Sequence, residues 1–553
     1  MDSQMRYSIL IVLLFVSFGF SQGAISPAFS WPALISDDFI DNSISINQAI
    51  ARANESILIL PKGRYYIYGM IDISNSNVRT IKGDSTTLII GGNYRDRHVF
   101  KMGNHSRTTI SGFVVDGCNE TDINGNFISA MSTGNGTDMI LENCHFINFT
   151  GHGVAGSGDR QIIRNNTFDN FGRNIIQITT GADPSDVRIQ NNNLFNAHDG
   201  LIEIDNGYGD RIFITDNIGI GYGDIGIQVE NGSDNCIISR NYIFNFDNPG
   251  KQIVGHSAFY IGDNSDKLDA RVILNENWIW GANIGLHIQN ANFVTGSNNQ
   301  FHKIYGSAIH VNDNSDYLVL NGNIVNDPYQ AYVEGDILGS LNELIFVPGN
   351  IHLADYKLIN GKAFHIITGP GSNQDSKRIS FVQARDSCNQ DTVFLSQAFS
   401  TQPDSESKFA IFSSIDRNVV NINLNSQYGS ISGLVIHGRQ GRYTNPVIRR
   451  AIEANGADFW KFSGVICDTQ QVNSIIRWGD NFQEYGLQAQ GSGTISAGQN
   501  SVTLTVTGLR YYMPVFLDIP LLYDIPNDNE LRVKTIDGQA TQQNINFNFQ
   551  VGQ

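Results

Sequence analysis

Charge is scarce in this 553-residue chain: only 16% of its residues are charged, and the balance is acidic, with 36 Lys and Arg against 53 Asp and Glu, a formal net charge of −17. So little charge argues against coiled coils and charge-driven disorder, and the acidic excess disfavours nucleic acid or an anionic membrane as the main partner. Cysteine is scarce too. Cys118, Cys144, Cys236, Cys388 and Cys467 are odd in number, scattered and without C-x-x-C spacing, so neither a disulfide framework nor a zinc site is indicated. Most are expected to be buried small hydrophobes. Long apolar runs are also missing. The longest, Tyr7 to Phe20, has 14 residues, short of the ~20 that cross a bilayer, so no membrane span is expected in the mature chain. What is abundant is glycine, at 55, and asparagine, at 60, a composition suited to turn-rich β structure.

The first 23 residues have the form of a secretory signal, with Arg6 before the apolar stretch and Ser21-Gln22-Gly23 as a small-x-small cleavage site. The mature protein is expected to be secreted or extracellular, with association at the cell surface compatible with the same signal. N-x-S/T sequons at Asn54, Asn104, Asn119, Asn135, Asn148, Asn165 and Asn231 fit export and glycosylation.

One element recurs: a short apolar strand, a polar pair, an Asn, then a second apolar strand. Its final position falls at Cys144, Asn166, Asn192, Asn217, Asn241, Asn277, Asn298 and Asn323, with spacings of 22, 26, 25, 24, 36, 21 and 25. A unit this small cannot bury its own apolar side, so units must stack as coils of a solenoid. The stacked Asn amides are expected to hydrogen-bond along the axis, with Cys144 ending the ladder. About eleven residues past each rung lies an alternating strand, whose apolar residues should face inward. Gln177, Glu203, Gln228, Tyr260, His287 and His310 should then stand outward in one column, with rungs about 4.8 Å apart.

These coils resemble the right-handed parallel β-helices of the pectate lyase superfamily. Ser45 to Asn54 looks like the amphipathic capping helix of such proteins, and Ile57 to Tyr65 (ILILPKGRY) is similar to the strand and turn that open them. The resemblance implies an all-β, right-handed parallel β-helix occupying 24–340 with its N-terminal cap, and a polysaccharide as the usual ligand. Ile431 to Gly438 (ISGLVIHG) echoes Ile110 to Gly117 (ISGFVVDG), and Leu344 to Gly349 (LIFVPG) echoes Leu58 to Gly63 (LILPKG). Residues 341–482 are therefore expected to form a second, shorter β-helical segment, or irregular β structure continuing the first stack. Residues 483–553 alternate Thr, Val and Leu and resemble the small β-sandwich tails of secreted β-helices, with capping, attachment or homo-oligomerisation as their role.

The outward face suggests chemistry. Asp199, Glu203, Asp205, Asp224 and Glu230 gather on two coils, and so many carboxylates in two rungs require a cation or raised pKa values; Ca²⁺ is the expected cation. It would bridge the acidic protein to a uronate polymer and stabilise charge formed when the C5 proton leaves. Tyr260, His287 and His310 are the candidate proton acceptor and donor, and Arg173 the clamp on a carboxylate. Gln177, Gln228, Lys251 and His256 are candidate substrate contacts; the last two lie on the roughly eight extra residues of the 36-residue coil. β-Elimination or C5 epimerisation of a uronate polysaccharide is the function these residues favour. A non-catalytic glycan-binding adhesin or sheath protein is the first alternative. A glycoside hydrolase is the second: polygalacturonases share the fold and use clustered aspartates with a Gly-His-Gly. Here Gly151-His152-Gly153 precedes the aspartates, whereas in those enzymes it follows them. The motif of alginate epimerases is present only as the fragment Ala197-His198-Asp199-Gly200.

Overall fold

Alternation with period two makes each repeat three short strands, and the corners between them make it a three-sided coil. A computed structural model describes 40–53, 57–74, 76–103, 107–179, 185–205, 211–230, 235–245, 257–262, 271–312, 314–328, most of 331–437, 448–454, 460–467, 472–478 and six strands between 489 and 551. One side of the coil stack is a thirteen-stranded parallel sheet running from Ile71–Asp72 to Val472–Trp478. The other two sides form one 24-stranded sheet, joined by the long strands Thr80–Ile90 and Thr109–Asp116, which turn the corner between them. Phe146, Phe168, Phe171, Ile189, Ile214 and Phe301 fill the interior with 2% exposure or less.

The first open end of the stack is covered by the helix Asn42–Arg52, which buries Ile46, Ala49 and Ile50. It begins three residues before the expected Ser45 because Asp41 caps it, accepting from the Ser43 amide. Capping carboxylates satisfy amides that a helix leaves unpaired at its start.

The interior ladder is present, with one rung shifted by a residue. Asn166, Asn192, Asn217, Asn241, Asn277, Asn299 and Asn323 are all buried. From Asn192 to Asn323 each Oδ1 accepts two bonds from the preceding rung; Asn217 takes the Asn192 backbone N–H at 3.0 Å and its Nδ2 at 3.0 Å. Each Nδ2 also donates to a backbone carbonyl, as Asn217 does to Ile189 O at 2.9 Å. Cys144 ends the ladder as expected: its amide donates to Asn166 Oδ1, and it has no amide side chain to extend the row. The expected rung Asn298 is instead the exposed residue before the true rung, in the left-handed region at φ 54°. The residue before each other Asn rung is left-handed too: Asn165, Asn191, Asp216, Arg240, Glu276 and Gly322 have φ between 52° and 62°. Asn tolerates that conformation better than most residues, so either member of Asn298-Asn299 suits the turn.

The segment 341–482 divides in two. Val333 to Phe412 form a seven-stranded antiparallel sheet with a core of its own, including Val347, Phe364, Val393 and Phe409. Leu344–Pro348 pairs antiparallel there, so its likeness to the parallel strand Ile57–Leu60 is one of composition and not of pairing. The β-helical segment then resumes directly on the first stack: Asn418–Ile422 pairs in parallel with Ile309–Asn312, and Gly429–Ser432 with Leu318–Asn321. In these later coils Leu434 takes the ladder position, preceded by Gly433 at φ 61°. Beyond them, two three-stranded antiparallel sheets lie between Ala489 and Val551, the sandwich-like C-terminal domain. Cys144 and Cys236 are buried as expected, whereas Cys118 is exposed. Among the described residues, no helix is long and apolar enough to cross a membrane.

The corners carry their own stacks. In the early coils, Arg160 and Arg211 fork onto Asp138 and Asp186 of the coil before. Later, Phe293, Tyr317 and Tyr428 stack with ring centroids 4.9 and 5.3 Å apart. All three aromatics are left-handed, at φ 55–57°.

Candidate functional site on the thirteen-stranded face

The thirteen-stranded sheet brings the expected column together in unbroken register: Gln177 beside Glu203, then Gln228, Tyr260, His287 and His310. The column continues to Asn421 and Glu453. A second column two residues along each strand runs Thr179, Asp205, Glu230, Gly262, Gln289, Asn312. The turns entering these strands place Asp199 and Asp224 on the same edge, with the Asp224 amide donating to Asp199 O at 2.9 Å. Lys251 and His256 lie outside the described residues.

Glu203 is the chemical centre of this face. Its Oε2 accepts from Gln177 Nε2 at 2.8 Å and from Asn174 Nδ2. Burial pushes its carboxyl up to about 7, the charges of Asp205, Glu230 and Asp199 push the same way, and the Gln177 bond opposes them. Asn174 also receives the Gly200 amide at 2.6 Å, which locks the side chain that holds Glu203. Asp199 bonds His198 Nδ1 at 2.9 Å. Arg173 is exposed, outside the column, with its guanidinium 4.8 Å from the Phe127 ring centre. His152 lies close to both Arg173 and Asp199; burial lowers its pKa first, the Arg173 charge adds to this, and Asp199 opposes.

The far end of the column is aromatic. Tyr260 is in register but only 6% exposed, so it does not stand open to water as the alternation implies. It meets His287 edge-on at 5.1 Å, and His287 meets His310 at 5.2 Å. Asn312 lies between the imidazoles: His310 Nε2 is 2.7 Å from Asn312 Oδ1, and Asn312 Nδ2 is 3.1 Å from His287 Nε2. Asn423 donates to that same Oδ1.

Among the described residues, no three His, Cys, Asp or Glu side chains group to hold a metal ion. Of the five acidic residues expected to bind Ca²⁺, Asp205 and Glu230 are neighbours in the second column, beside Glu203 in the first.

Residues missed by sequence reading are Asn174, Asn312 and Asn423, each a positioning amide. No spacing signal marks them, because asparagine is common throughout.

Residues 158–327 match a family described as the right handed beta helix region. No curated protein matches the chain by sequence. Among solved structures, a double mutant of the tailspike protein of E. coli bacteriophage HK620, in complex with a pentasaccharide, aligns with a TM-score of 0.50 at 12% identity, covering 94% of this chain and 90% of that one. The A-module of a mannuronan C-5 epimerase from Azotobacter vinelandii gives 0.45 at 11% identity, covering 82% and 98%. PfbA, a surface adhesin of Streptococcus pneumoniae, gives 0.43 at 15% identity, covering 57% and 94%. At such identities the likeness concerns the fold, and with the pairing above it makes this chain a right-handed parallel β-helix protein.

Proposed function

We propose that this is a polysaccharide-active enzyme, that the polymer lies along the thirteen-stranded face, and that Glu203 is the acid in hydrolysis of a glycosidic bond. The observation that carries the reading is the Glu203 carboxyl, raised to about 7 beside Asp205, Glu230 and Asp199. Carboxyls whose surroundings push their pKa values apart divide the work of acid and base. Glu203 gives its proton to the leaving-group oxygen, and Asp205, two residues along the same strand at a Cα spacing of about 6.6 Å, serves the attacking side. Water supplies hydroxide to the anomeric carbon and the proton that restores Glu203. The tailspike complex is a β-helix that binds an oligosaccharide, which supports a saccharide on this fold.

β-Elimination or C5 epimerisation of a uronate is the second reading, favoured by the Tyr260, His287 and His310 rings in edge contact. There Arg173 would clamp the sugar carboxylate, and Ca²⁺ would be held among Asp199, Glu203, Asp205, Asp224 and Glu230. Export through residues 1–23, extracellular action and kinship with the pectate lyase superfamily belong to the same proposal, as does homo-oligomerisation through the C-terminal domain.

Incubation with neutral and uronate polysaccharides tests the reading. New reducing ends without unsaturated product, lost in Glu203→Gln, are expected. Unsaturated product or C5 proton exchange would replace hydrolysis with the second reading. Glycan binding with no product, unchanged by Glu203→Gln, would make the protein a binder.

A further inference from the structure

One amide joining two imidazoles constrains both. A side-chain amide offers a donor at Nδ2 and an acceptor at Oδ1, and these lie 3.1 Å from His287 Nε2 and 2.7 Å from His310 Nε2. If one Nε2 faces the donor it must be bare, and the other, facing the acceptor, must carry hydrogen. Rotating the amide by 180° exchanges the two histidines but keeps the opposition. Asn423 Nδ2 selects between them: it donates to Asn312 Oδ1, and although it also lies 3.2 Å from His310 Nε2, the 2.7 Å contact of that nitrogen with Asn312 Oδ1 is the shorter and needs hydrogen on Nε2.

We propose that Asn312 is a positioning residue that holds His287 and His310 neutral and in opposite tautomers. His310 carries its proton on Nε2 and is unprotonated at Nδ1; His287 is unprotonated at Nε2 and carries its proton on Nδ1. The pair thus supplies one imidazole with a basic Nδ1 and a neighbour whose Nδ1–H can donate a hydrogen bond without surrendering its proton. Abstraction of a proton next to a carboxyl needs that combination: a base for the proton and a neutral donor for the oxygen on which charge gathers. In that step the C–H pair stays on carbon as the enolate, and the proton resides on His310.

The use of the pair rests on the uronate reading above; the tautomers rest on the bonds alone. Among the described residues, the titratable groups next to the pair along its column are Tyr260 before His287 and Glu453 beyond Asn421, and Glu453 is bonded to Asn418.

The test is ¹⁵N NMR of the full chain labelled at histidine, with His287→Gln and His310→Gln assigning the signals. One Nδ1–H and one Nε2–H imidazole at pH 7 are expected. Two identical tautomers, or a charged ring, would overturn the proposal. Asn312→Asp replaces the donor with a second acceptor, so both rings should bind a proton more readily and titrate about one pH unit higher or more. Unchanged titration in a variant that still melts like the parent would equally overturn it. Absence of uronate turnover with the tautomers as stated would instead remove only the second reading.

Discussion

Two columns of polar side chains run through the same coils at the same pitch, one inside and one outside. Inside, each rung from Asn192 to Asn299 accepts from the rung before and donates to the rung after and to a carbonyl. Outside, Gln177 to His310 place a carboxyl among carboxylates and rings among rings. The repeat geometry is one; the difference is polar satisfaction. A matched column in a dry interior gives stability, whereas a column whose charges oppose one another stores the raised pKa that chemistry uses.

The largest contrast should be in turnover. Glu203→Gln is expected to lower hydrolysis at least about 100-fold with glycan binding kept, read as the rate of reducing-end release. Asn217→Leu should do the reverse, leaving binding intact in the folded protein. It strips the acceptor from the Asn192 amide and side chain, at a cost of about 2–5 kcal/mol in denaturant unfolding. A corner sharpens the comparison. Tyr317→Ala loses two ring stacks worth about 0.5–1.5 kcal/mol each, and Tyr317→Gly should lose less because glycine accepts the left-handed turn. The smallest effect is in the pH dependence of stability. Because the folded Glu203 value lies above the ordinary 4.5, its contribution is complete below about 4.5 and is lost as pH rises through about 7. After discounting for solvent screening, Glu203→Gln should be more stable than the parent at pH 8 by about 1–2 kcal/mol, with no difference near pH 4.

The coil period and the outward column are legible in the sequence because period-two alternation leaves each strand only one inward set; all six outward residues fall in register. The ladder slips at Asn298 because two adjacent asparagines both satisfy the local pattern and only burial separates them. The antiparallel insert is invisible for a different reason. Leu344–Pro348 has a composition shared by parallel and antiparallel strands; one partner, Gly339–Leu341, adjoins it in a short hairpin, but the other, Gln390–Leu395, lies over forty residues away. Glu203 is marked by the sequence as one of five acids, yet nothing in the spacing distinguishes it from Asp205. Its distinction comes first from burial and then from the charges of Asp205, Glu230 and Asp199, which the stacking of coils sets and no local signature marks.

The most direct measurement is a ¹³C carboxyl NMR titration of the full chain, with Glu203→Gln identifying the signal. A midpoint near 7 for Glu203 is the predicted result. A midpoint in the ordinary carboxylate range would contradict the account, because the outer column would then hold no acid to cleave a glycosidic bond at neutral pH.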